Sequence, residues 1–63
     1  MASEFEIRRY DRERLYELML IKKLNDKHGT IVLGLDEAIH RLKTYMHQDD
    51  VKVVQQMISE YEM

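Results

Sequence analysis

With 63 residues the chain has room for one domain, residues 1–63, and a chain this short hides only about 60% of its unfolded surface. It has no cysteine, which excludes disulfides and thiolate zinc sites, and its ten basic and twelve acidic residues leave a formal charge of −2 with no general pull toward nucleic acid. Its three histidines, His28, His40 and His47, are too scattered for a self-contained metal knuckle, so association is the remaining way to complete a small core.

At the N-terminus, Met1 to Phe5 offers neither a basic region nor an apolar one, so no signal peptide is expected. Residues 1–5 also have the look of an expression scar. The first helix has two candidate starts. Ser3 with Glu6 matches a capping box, in which the serine oxygen takes one free amide and the glutamate reaches back. Asp11 is the competing cap, and the pattern is firmest from Asp11 to Lys27, with the preceding turn frayed or helical. Lys22, Lys23 and Lys27 suit the negative end of the helix dipole, and Gly29 suits a left-handed stop.

Proline is absent, and the two glycines, Gly29 and Gly34, bracket Thr30 to Leu33, which places the main connection near residues 28–34. A second helix follows Gly34, with Asp36 and Glu37 in its first turn and Leu35, Ile39, Leu42 and Met46 on one stripe. Continued without a break, that stripe reaches Val53 and Met57. Val51, Val54, Ile58 and Tyr61 instead form a stripe about 120° away, and Asp49 is a natural cap. A joint near residues 47–49 and three helices are therefore expected. The fold class is all-α, a small bundle of two to three helices completed by dimerisation.

Helix one carries most of the argument for association. With Leu15 as origin, Leu18 and Met19 lie within about 60° and Ile7 near −80° extends that face, whereas Leu20 and Leu24 point near 140° and 180°. Ile21 and Tyr10 accompany the second group, and Tyr16 fills a remaining gap. A surface helix ordinarily has one apolar stripe; this one has two. Burying a large aliphatic side chain is worth roughly 1.5–3 kcal/mol, so a second copy is the expected cover. The competing arrangement puts helix one between two others that satisfy both stripes. The expected contact residues are Tyr16, Leu20, Ile21 and Leu24 on helix one, with Val54, Ile58 and Tyr61 on the last.

The chemistry is sparse. Asp36, His40, His47 and Asp50 share a face only if helix two is continuous, and Lys43 sits among them, so no metal site is expected. Arg8, Arg9, Arg12 and Arg14, with Tyr10 between them, form the one basic cluster and are the residues an alternative nucleic-acid-binding regulator would use. Glu4, Glu6, Asp11 and Glu13 interleave with them. Thr30 to Leu35 followed by short helices has the order of a ribbon-helix-helix DNA binder, but neither face of such a strand offers polar side chains to read bases. No phosphate loop and no serine beside a base are present, so neither an enzyme nor a cofactor is expected.

Arg12-Glu13-Arg14-Leu15-Tyr16-Glu17-Leu18, a loop, then Val32-Leu33-Gly34-Leu35 opening a helix that carries a tyrosine resembles the small helical-hairpin aspartyl-phosphate phosphatases over about half the chain. That family's second helix carries Ser-Gln-Glu-Leu-Asp, and the matching stretch here is Asp36-Glu37-Ala38-Ile39-His40. His40 stands where the acting acid belongs, so the resemblance implies a hairpin pattern and not the activity. The expectation is a small cytoplasmic interaction protein without a membrane span: a regulator, inhibitor or adaptor, acting as a homodimer. Small phage- and plasmid-borne regulators share this profile.

Overall fold

A computed structural model describes residues 3–61, which form three helices: α1 (Glu4–His28), α2 (Leu35–Tyr45) and α3 (Gln48–Ser59). No strand occurs among the described residues. The longer of the two starts for helix one is realised. Ser3 is extended, at φ −73° and ψ 163°, and its Oγ accepts the Glu6 N–H at 3.2 Å. One of the four free amides at the helix start is thereby satisfied, and Glu4 and Glu6 place negative charge at its positive end.

The stop at Gly29 is a Schellman motif. Gly29 sits at φ 70°, its N–H donates to the Asp26 carbonyl, and the Thr30 N–H donates to the Asn25 carbonyl at 2.8 Å. A side chain with a Cβ is disfavoured there, which explains why the glycine ends the helix. Gly34 repeats the left-handed geometry at φ 82° and opens α2 without a side-chain cap, leaving Asp36 and Glu37 to complement the dipole.

The joint between α2 and α3 falls slightly earlier than residues 47–49. Met46 and His47 are both extended, and these two residues break the helical path. His47 rather than Asp49 is the cap. Its carbonyl accepts from Asp50 and Val51, and its side chain makes no capping bond. The break turns the chain so that Val51 and Val54 face inward beside Ile39 and Met46.

Polar ties at both ends give the helix directions. Lys22 on α1 donates to Asp36 at the start of α2, and His47 beyond its end lies 3.7 Å from Glu4, so α2 runs back along α1. Asp50 near the start of α3 meets Arg8, whereas Lys23 Nζ donates to the Ile58 and Tyr61 carbonyls at 2.8 and 2.9 Å, so α3 runs with α1. The result is an up-down-up bundle in which α1 packs against both shorter helices. At 1.5 Å per residue α1 is about 37 Å long, close to the 39 Å longest dimension of the molecule.

The core is small. Leu15, Ile39, Met46, Val51 and Val54 are buried, and Tyr16, Leu18, Met19, Leu35, Leu42 and Ile58 pack partly buried around them. Leu15 is the single fully sealed side chain that the 25-residue α1 contributes. Its truncation therefore has a large effect. Leu15→Ala should cost about 2–5 kcal/mol, close to the whole stability of about 3–5 kcal/mol that a core of this size supplies. Circular dichroism melts should show the cooperative transition largely lost. Leu33→Ala, at a position 94% exposed, should leave the midpoint almost unchanged.

Candidate functional site

The outward side of α1 keeps apolar side chains in solvent. Leu15 lies at the centre of the inward side, with Leu18 and Met19 against the core. On the opposite side Ile21 and Leu24 remain 44% and 36% exposed, and Tyr10 is exposed as well. Helix one does lie against two others, as the competing arrangement required. They leave Tyr10, Ile21 and Leu24 of its second stripe exposed and Leu20 half-buried. Ile7, grouped with the inward face by its angle, is also exposed, because it lies toward the N-terminal end of α1, beyond the core around Leu15.

The seven expected contact residues do not form one surface. Ile21 and Leu24 face outward and Leu20 is half-buried between the two sides. Tyr16 is half-buried in a shallow groove between α1 and α3 that Val53 and Met57 also line. Val54 forms the floor of that groove and is sealed in the core, and Ile58 packs against the core half-buried. Tyr61 is exposed, with Lys23 Nζ 5.8 Å from its ring centroid. Exposed apolar side chains outside that set include Ile31, Val32 and Leu33, in the turn between the two glycines, and Phe5 and Tyr45.

The four arginines are spoken for within the chain. Arg8 Nε and Nη2 donate to the two oxygens of Asp50 at 2.9 and 3.2 Å, and Arg12 Nη1 lies 4.0 Å from the same carboxylate. Arg9 pairs with Glu13 at 3.2 Å and Arg14 with Glu17 at 3.7 Å. Arg8 and Arg12 turn toward Asp50, whereas Arg9 and Arg14 pair along α1.

Asp50 is 5% exposed, the one buried charged residue among those described. The forked guanidinium matches the carboxylate geometry, which is the reason arginine suits this position. Hydrogen bonding from Arg8, reinforced by the charges of Arg8 and Arg12, holds the Asp50 carboxyl below the ordinary aspartate range against the opposing effect of burial. The same bond raises the Arg8 guanidinium, and Asp36 raises the Lys22 ammonium in the same way. These groups tie helices together.

The break at Met46 also separates the acidic and histidine stripe. Asp36 and His40 stay on α2, His47 caps α3 and Asp50 is held by Arg8. Among the described residues no three such side chains gather where a metal ion would sit. No described helix is long and apolar enough to cross a membrane. Comparison with family models, with curated proteins and with solved structures returned no match to the chain.

The depressed Asp50 carboxyl has a defined pH consequence. An unfolded aspartate titrates near 3.9, so the pair's contribution is complete above about pH 4 and is lost as pH falls through the lower folded value. The stability difference between the wild type and Asp50→Asn in thermal melts should be clear at pH 6 and smaller at pH 2.5. An equal difference at both pH values would contradict the assignment.

Proposed function

We propose that this chain is a non-enzymatic protein–protein interaction module, a small regulator, inhibitor or adaptor that acts as a homodimer through an apolar helix face. One observation carries the reading. Among the described residues five apolar side chains are buried, whereas twelve large ones, including Ile7, Tyr10, Ile21 and Leu24, are exposed. At roughly 1.5–3 kcal/mol for each side chain taken out of water, covering even three of them rivals the stability of the lone fold. Ile7, Tyr10, Ile21 and Leu24, sharing one stretch of the outer circumference of α1, supply a candidate contact surface.

A nucleic-acid role draws less support, because Arg8, Arg9, Arg12 and Arg14 each have a carboxylate neighbour within the chain. Freeing Arg8 and Arg12 for phosphate would break the tie that holds α3.

Sedimentation equilibrium over a concentration range tests the proposal. The wild type should approach twice its 7.7 kDa chain mass, and Leu24→Asp should sediment as a helical monomer. Ile31→Asp, in the turn, should remain dimeric. A wild-type mass that stays at one chain at all concentrations would remove the homodimer reading.

A further inference from the structure

Positions that recur at alternating steps of three and four share one stripe of a helix, the pattern of a coiled-coil seam. Along α1, Ile7, Tyr10, Arg14, Glu17, Ile21 and Leu24 follow that pattern without a gap. The seam centres about 130° around the helix from Leu15, with Ile7 at its near edge and Leu24 at its far edge. Its four apolar members are between 36% and 67% exposed, and the Arg14 and Glu17 side chains at its middle are 54% and 64% exposed.

We infer that two copies of this chain pair through this seam with their α1 helices antiparallel. The two-fold axis passes between positions 15 and 16. The inference rests on the homodimer reading and adds its orientation and register. In this arrangement Ile7 packs on the partner's Leu24, Tyr10 packs on the partner's Ile21, and Arg14 meets the partner's Glu17. The symmetry repeats each contact, so four apolar layers flank two charge pairs.

The charges select this pairing over its competitors. A parallel pair sets Arg14 against Arg14 of the partner subunit and Glu17 against Glu17 of the partner subunit, which is repulsive twice. An antiparallel pair slipped by one heptad toward the N-terminus sets Ile7 against the partner's Glu17 and Tyr10 against the partner's Arg14. Slipped the other way, it sets Leu24 against the partner's Arg14 and Ile21 against the partner's Glu17. Only the register centred between 15 and 16 matches apolar to apolar and charge to opposite charge along the whole seam. Beside the seam it also brings Glu6 toward the partner's Lys27, a further opposite-charge pair. Polar groups inside an apolar seam lower stability and fix register, which is the role the structure assigns to Arg14 and Glu17.

The native chain has no cysteine, so single introduced thiols report the register directly. Ile7→Cys and Leu24→Cys are prepared separately, checked for helicity by circular dichroism, mixed, and oxidised with glutathione disulfide, which is reduced to two glutathione thiols as the protein link forms. The mixture should form a disulfide-linked heterodimer. Neither variant alone should link, because like positions lie about 25 Å apart at 1.5 Å per residue, far beyond the roughly 4–7 Å between Cα atoms that a disulfide spans. A 7–7 or 24–24 link overturns the orientation. A dimer by sedimentation without the 7–24 link overturns the register and leaves the homodimer reading standing, whereas a monomer at every concentration overturns both. Charge reversal supplies a second reading at exposed positions. Arg14→Glu should weaken dimerisation roughly tenfold or more by facing like charges across the seam, and adding Glu17→Arg should restore it. Failure of the double variant to recover overturns the pairing of Arg14 with the partner's Glu17.

Discussion

A single long helix has to serve two surfaces, and the rest of the molecule is arranged around that demand. α1 has apolar side chains on nearly opposite sides, while the two helices that fold back on it are each less than half its length. They can reach one side only. The inward side is closed by Leu15 together with residues from α2 and α3, and the outward side keeps Ile21 and Leu24 in solvent. Hydrophobic burial grows with the area removed from water. The same force that builds the core therefore acts on the outer stripe as soon as a partner is available.

Polar contacts decide which side is closed. Asp50 is drawn to Arg8 at one end of α3, and Lys23 holds the carbonyls at the other end, so α3 is fixed in direction and in azimuth around α1. Lys22 and Asp36 do the same for the start of α2. Each tie also satisfies charge or carbonyl groups that would be costly to bury alone. Because these ties come from one half of the α1 circumference, the other half is left clear. Arg8 and Arg12, half of the cluster that resembles a nucleic-acid patch in the sequence, are consumed in this internal work.

Much of the fold was legible in the residues themselves. Gly29 announces the end of α1 because a left-handed glycine answers a local backbone need, whereas Ser3 was one of two candidate starts and the pattern alone was firmest from Asp11. The three-helix division was legible from the mismatch between the Leu35–Met46 stripe and the Val51–Tyr61 stripe. The exact joint was not. Asp49 is the better intrinsic cap, and His47 takes the position because Val51 and Val54 must reach the core and Asp50 must reach Arg8. The same tertiary requirement sealed Val54 away from any surface, which its place on an amphipathic stripe could not reveal. Ile7, Arg14 and Glu17 were passed over as contact residues although their spacing was on view. Arg14 and Glu17 are charged, and in a seam the sign of a charge has meaning only once the facing residue is known.

The claim on which the account rests is that the outer stripe of α1 is covered in solution while the turn between the glycines is not. Methyl NMR in the presence of a soluble paramagnetic probe measures this most directly. The account predicts that the Ile7, Ile21 and Leu24 methyl signals are protected from broadening at high protein concentration and lose that protection on dilution, with Ile31 and Leu33 broadened throughout. Equal broadening of all five residues at every concentration would contradict it.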